Sequence, residues 1–220
     1  MRTDVNNARS GQIPFGLEGV LLIHGLGRGE GSMVLLARWL RRSGFETARV
    51  RYPSRRLSLE DAVCWVQQRV AALTKGWGRV HLVGHSLGGV IARRMALSRS
   101  DARFGRVVQL GAPNAGAPLA ERLARWQWAR RVFGPALSDI AVLRPPTSRS
   151  KGIAAIAGVC ALGTRRGDWL VPVRSAWAGA EARAVVSTVH GLLPLNAEVG
   201  RLICCYLQTG SFGTAGRVAR

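Results

Sequence analysis

The chain has 220 residues, 47% of them hydrophobic and 20% charged, which is enough for one domain with a buried core and too few for two comfortable ones. Lys and Arg total 32 against 12 Asp and Glu, a formal charge of +20 carried almost wholly by arginine, since Lys75 and Lys151 are the only lysines. Abundant Val, Leu and Ile argue against a disordered chain, and no run approaches the roughly 20 uninterrupted apolar residues of a membrane-spanning helix.

From the N-terminus, Asp4, Asn6, Asn7 and Arg9 stand where a signal peptide would carry its apolar segment. Residues 1–18 are therefore read as an N-terminal extension, flexible in character, and the expected location is the cytoplasm. The run Gly19 to Ile23 is short and β-branched enough for a buried parallel strand, and it ends in His24-Gly25-Leu26-Gly27. Met33, Leu36, Ala37 and Leu40 recur at helical spacing until Gly44 stops them. A second extended run covers Thr47 to Tyr52. Ser58 then precedes Glu60 and Asp61, an N-cap serine with acids in the first turn, and Leu59, Ala62, Val63, Val66, Val70 and Leu73 form one apolar helix face.

After a break at Gly76-Trp77-Gly78, a third strand at Val80 to Val83 runs into Gly84-His85-Ser86-Leu87-Gly88-Gly89 and a helix reaching about Leu97. A fourth strand, Val107 to Leu110, ends at Gly111-Ala112-Pro113-Asn114-Ala115-Gly116. Residues 117–151 are less regular. Alternation resumes with a strand at Ile153 to Val159, a loop through Asp168, a strand at Ala184 to Val189 and a helix from about Asn196 to Leu207. Strand and helix alternate throughout, the pattern of an α/β fold with a mostly parallel central sheet flanked by helices on both faces. The domain is expected to span 19–213, with a basic tail at 214–220. Cys64, Cys160, Cys204 and Cys205 have neither disulfide-scaffold nor zinc spacing and are read as buried small apolar residues.

Gly84-x-Ser86-x-Gly88 is the nucleophile-elbow pattern, in which a sharp strand-to-helix turn strains the serine and leaves no room for flanking side chains. A serine hydroxyl needs a general base and a carboxylate to orient that base. Of the four histidines, His81 lies inside a strand, His85 is the serine's own neighbour and His24 ends the first strand, where it is expected to hold the loop. His190 is the only histidine after Ser86 and the candidate base. Among the acids between them, Asp168 follows a strand at the sheet edge where open α/β sheets bind ligands; Asp139 and then Glu181 are the alternatives. Backbone N–H groups of Leu87, which opens a helix, and Leu26, in the first glycine loop, are the candidate oxyanion donors.

With these residues in place the sequence resembles the α/β-hydrolases of the bacterial triacylglycerol-lipase and esterase type, and is similar to the lipase-like domain of inositol deacylases. The resemblance runs from about Val20 to Phe212 through the blocks His24–Gly27, Gly84–Gly89, Gly111–Gly116, Asp168–Pro172 and His190–Leu193. It implies hydrolysis of carboxylic esters through an acyl-enzyme on Ser86, with no cofactor and no metal. Transfer of the acyl group to an alcohol or amine uses the same residues and stays open. The resemblance also makes residues 117–151 a short lid insertion. That insertion carries seven cations against Glu121 and Asp139, with Trp126, Trp128 and Phe133 among them. It is expected either to close over a small-molecule or lipid ester, touching an anionic membrane peripherally, or to be a solvated basic helix with core-facing tryptophans. A contrasting class, a basic binding protein for nucleic acid or anionic membrane, follows from the charge alone. The arginines are spread along the chain with no recognition-helix motif, so no specific nucleic-acid partner is expected.

Overall fold

A computed structural model describes residues 17–160 and 167–213; the expectations for residues 1–16 and for the tail at 214–220 lie outside them. Six strands form one all-parallel sheet: β1 (Leu17–Ile23), β2 (Glu46–Val50), β3 (Trp77–His85), β4 (Phe104–Leu110), β5 (Ser150–Val159) and β6 (Ala180–Ser187), in the spatial order β2-β1-β3-β4-β5-β6. The strands read as continuous apolar runs because both faces are covered. Leu21, Ile23 and Leu82 pack towards one side, with Leu59, Ala62 and Val66 of α2 (Leu59–Leu73) and Ile91 and Met95 of α3 (Leu87–Ser98). Val20, Leu22 and Val83 point the other way, towards Leu36 and Leu40 of α1 (Val34–Arg42) and Leu202 and Ile203 of α8 (Ala197–Thr209).

Local chemistry sets the helix starts. Ser58 accepts from the Asp61 N–H at 3.1 Å to cap α2, and Asn196 accepts from Glu198 and Val199 to cap α8. A 3-10 turn, Glu30–Met33, leads into α1, and a second 3-10 segment, His190–Leu195, precedes α8. Strand edges differ from the expected ones. Trp77 and Gly78 belong to β3, and the turn before it covers residues 74–76, with Gly76 at φ +82. Leu17 pairs with Trp77 and, after a shift of register that skips Gly78, Glu18 pairs with Arg79, whose side chain bonds Glu18; polar residues at a half-exposed strand end hide it from an apolar-run reading.

Residues 117–151 are more regular than expected. They hold α4 (Pro118–Ala124), α5 (Gln127–Phe133) and α6 (Ala136–Val142) before β5 begins at Ser150. Between β5 and β6 lies the one-turn helix α7 (Val173–Ala176). The cysteines correct the sequence reading: all four are free thiols, Cys64 is exposed and the other three are half-buried. Cys64 sits on α2 off the Ala62-Val63-Val66-Val70 face, so helical geometry turns it outward. Among the described residues no helix is long and apolar enough to cross a membrane.

The topology positions the site. From β1 the chain steps outward to β2 and then returns to β3 on the other side of β1. Loops leaving the carboxyl ends of β1 and β3 therefore diverge, opening the crevice where α/β sheets take their ligands. His24–Gly27 leaves β1 there and Ser86 leaves β3 there.

Candidate active site

Ser86 is the residue between β3 and α3, with φ 53 and ψ −123, a conformation that costs a non-glycine residue of order 1–3 kcal/mol and persists only where the surroundings enforce it. They do. Its N–H donates to the Leu110 carbonyl at 2.8 Å. A side chain at Gly84 would overlap the Gly88 carbonyl, and one at Gly88 would overlap the Ile23 carbonyl. The two glycines of the pentapeptide are thus spaces that strand, turn and helix need in order to touch.

Asp168 and His190 come from the loops after β5 and β6. His190 Nδ1 lies 2.7 Å from Asp168 Oδ2, with both side chains almost wholly buried. A carboxylate only accepts, so Nδ1 carries the hydrogen, and in the neutral ring that tautomer puts the lone pair on Nε2. The other carboxylate oxygen accepts from the Val171 N–H at 2.8 Å and the Leu170 N–H at 3.2 Å, while the Asp168 carbonyl accepts from the His190 N–H at 3.2 Å. Four hydrogen bonds thus lock the pair. The turn that makes them possible puts exposed Trp169 at φ 82. Gly111 closes on the pair: a Cβ there would stand 3.0 Å from Asp168 Oδ2 and 3.1 Å from His190 Nδ1.

His85 and His24 flank Ser86 without facing it as bases. His85 Nε2 donates to the His190 carbonyl at 3.0 Å, and burial beside His190 pushes its pKa down to about 3, so the ring is neutral. Its Nδ1 has no partner. His24 Nδ1 donates to the Gly25 carbonyl at 3.0 Å, its ring stacks on Tyr52 at 4.3 Å, and the Tyr52 hydroxyl donates to the His24 carbonyl at 2.7 Å. Burial lowers its pKa too. His24 thus holds the first glycine loop, as its place in the sequence led us to expect. That loop comes close: a Cβ on Gly25 would be 3.1 Å from Ser86 Cβ. No carbonyl of the described residues accepts from the Leu26 or Leu87 N–H.

Ser86, His190 and Leu26 line one cavity of about 330 Å³. Its walls are apolar and come largely from residues 117–151: Leu119 and Leu123 of α4, Phe133 of α5, and Leu137 and Ile140 of α6. The sequence reading named none of these five except Phe133, although the i,i+4 pair Leu119/Leu123 and the i,i+3 pair Leu137/Ile140 carry the helical signal. Asp139, the alternative acid, is elsewhere, with Oδ2 accepting from the Leu59 N–H at 2.7 Å at the start of α2. Glu181, the other alternative, accepts from the Gly152 N–H at 2.7 Å near the opposite end of the sheet. Trp126 and Trp128 are 61% and 55% exposed, so they do not face the core. Among the described residues no group of three or more His, Cys, Asp or Glu could hold a metal ion.

The profile of the family described as "Alpha/beta hydrolase family" matches residues 20–209. The chain belongs to this family. Solved structures share its fold. The mature lipase BlEst2 of Bacillus licheniformis superposes with a TM-score of 0.62 at 17% identity, over 83% of this chain and 89% of that one. The type II thioesterase BorB from the borrelidin biosynthetic cluster gives 0.61 at 17% identity, over 95% and 99%. The RedJ thioesterase of Streptomyces coelicolor gives 0.57 at 14% identity, over 94% and 96%. No curated protein matches the sequence. At these identities the likeness of this α/β-hydrolase to its neighbours is one of fold.

Proposed function

We propose that this α/β-hydrolase is a serine hydrolase that cleaves carboxylic esters through an acyl-enzyme on Ser86. The observation that carries this reading is the locked Asp168–His190 pair, at 2.7 Å, opening onto the same apolar cavity as a serine held at positive φ. His190 Nε2 takes the proton as Ser86 Oγ attacks the acyl carbon. The oxyanion that forms accepts hydrogen bonds from the Leu26 and Leu87 N–H groups. As the carbon–oxygen bond breaks, His190 returns the proton to the leaving alcohol. A water then attacks, His190 takes its proton, and the carboxylic acid leaves as that proton passes to Ser86. Asp168 keeps the imidazole in the Nδ1–H form and stabilises the imidazolium, while the His85 bond to the His190 carbonyl makes His85 a positioning residue.

The acyl chain occupies the cavity walled by Leu119, Leu123, Phe133, Leu137 and Ile140. The same steps cleave a thioester, a reading favoured by the thioesterases among the structural neighbours. Trp126 and Trp128, exposed among arginines on α5 and its approach, support peripheral contact of this cap with an anionic membrane. Steady-state hydrolysis of p-nitrophenyl butyrate tests the catalytic reading. Ser86→Ala and His190→Ala should each lower kcat by roughly 10³-fold or more, and Asp168→Asn by a similar order. A folded Ser86→Ala enzyme with wild-type turnover would refute it.

A further inference from the structure

Beside the loop that leaves β1 lies a second, open cleft of about 980 Å³. Five arginines line it, Arg28, Arg51, Arg55, Arg56 and Arg69, against a single acid, Glu30. None of the five forms an ion pair among the described residues. They do not come from one solvated helix face. Arg28 belongs to the β1 loop, Arg51, Arg55 and Arg56 to the connection between β2 and α2, and Arg69 to α2. Convergence of like charges from three segments costs Coulomb energy that a bound anion removes.

The cleft is built, not merely crowded. Arg69 lies 3.8 Å over the Trp65 ring and donates to the Trp65 carbonyl at 3.0 Å, which fixes its plane. Arg55 rests on Gly27, where a Cβ would stand 3.3 Å from Nε and Nη2, and Arg28 rests on Gly191, beside His190, where a Cβ would meet Nη2 at 2.5 Å. His24 lies on the cleft wall, fully buried, and its Nε2 has no partner. Arg28 also lines the apolar cavity at Ser86. The two spaces therefore meet at Arg28, one suited to an acyl chain and the other to an anion.

We propose that the cleft holds a phosphate or diphosphate on the leaving half of the substrate, making the substrates acyl esters or thioesters of phosphorylated alcohols or thiols. This rests on the reading of Ser86 as nucleophile. Guanidinium forks match phosphate oxygens bidentately, and five of them exceed what a lone carboxylate would neutralise. Attack at the acyl carbon forms the Ser86 ester and breaks the bond to the phosphorylated alcohol or thiol, which takes its proton from His190 and stays in the cleft until release.

The test uses the whole chain and inorganic pyrophosphate as probe, with affinities from isothermal titration calorimetry. Arg55→Gln/Arg56→Gln and Arg51→Gln/Arg69→Gln should each weaken binding at least tenfold relative to Arg38→Gln/Arg201→Gln, a pair with the same loss of charge that lies outside the cleft lining, on α1 and α8. Two cleft pairs guard against one failing to fold. No binding to the wild type, or equal weakening in all three variants, overturns the proposal. In parallel, kcat/KM is measured on butyryl-coenzyme A, on a lysophosphatidylglycerol and on uncharged p-nitrophenyl butyrate. The ratio of a phosphorylated to the uncharged ester should fall at least tenfold in the cleft pairs, and the ester that shows the fall separates a nucleotide thioester from a lipid headgroup. Hydrolysis of the uncharged ester with both ratios unchanged overturns this inference alone. Failure of every ester, with Ser86 refusing a fluorophosphonate probe, sinks the hydrolase reading and the substrate proposal with it.

Discussion

His85 makes acid a specific threat to this fold. Its ring is buried against His190, with Nε2 committed to the His190 carbonyl and no partner at Nδ1 to share an added proton. Its pKa is pushed from 6.5 down to about 3 by burial and by the neighbouring His190. Because the folded value is the lower one, the unfolded chain binds the proton first. Stability from this group is complete above pH 6.5 and is lost as the pH falls towards 3. The loss works out at about 2 kcal/mol by pH 5 and about 3 kcal/mol by pH 4. His85→Gln keeps an amide donor near the His190 carbonyl and cannot titrate. Guanidinium unfolding followed by tryptophan fluorescence at pH 7 and pH 5 gives the comparison, since His24, His81 and Asp101 titrate equally in both proteins. From pH 7 to pH 5 the variant should lose about 2 kcal/mol less than the wild type. Equal losses would refute the argument that His85 is held neutral by its burial.

Gly88→Ala forces a Cβ onto the Ile23 carbonyl, where only backbone can yield; thermal unfolding should report a loss of ~3 kcal/mol or more, or no folded protein. Leu137→Trp fills the apolar cavity from α6, so the octanoate-to-acetate ratio of kcat/KM on p-nitrophenyl esters should fall about tenfold, with acetate turnover far less affected. Asp139→Ala removes the acceptor at the Leu59 N–H and should cost about 1 kcal/mol in chemical denaturation. Trp126→Ala/Trp128→Ala should reduce sedimentation with anionic liposomes while leaving it unchanged with neutral ones.

The sheet was legible because its central strands are buried on both faces, so Val20 to Ile23 and Val80 to Val83 stand out as apolar runs, interrupted only by His81, that lead into His24-Gly25 and Gly84. Their outer ends were not, because Glu18 and Arg79 pair through backbone while their side chains reach solvent, and Trp77 lays its ring over Gly19 at the margin of the core. Ser86 was marked by its flanking glycines, whose absent side chains are a steric need the sequence displays directly. His190 followed by elimination. Asp168 was harder: what separates it from Asp139 and Glu181 is which loop end each occupies, and only the hydrogen bonds settle that those two serve α2 and Gly152. The short helices of residues 117–151 escaped because seven residues show barely two turns of periodicity. The arginine cleft escaped for a different reason. Its five charges are spread from residue 28 to residue 69, and nothing along the chain shows that β2 and α2 bring them to the loop after β1.

The central claim is that Ser86 is a nucleophile activated by His190 and oriented through Asp168. The most direct test is labelling by a fluorophosphonate, mapped by peptide mass spectrometry, in the wild type and in Ser86→Ala, His190→Ala and Asp168→Asn. Rapid modification of Ser86 alone is expected, with none in Ser86→Ala and labelling slowed at least ~10²-fold in the other two. Modification at another residue, or labelling of Ser86 at the wild-type rate without His190, would contradict it.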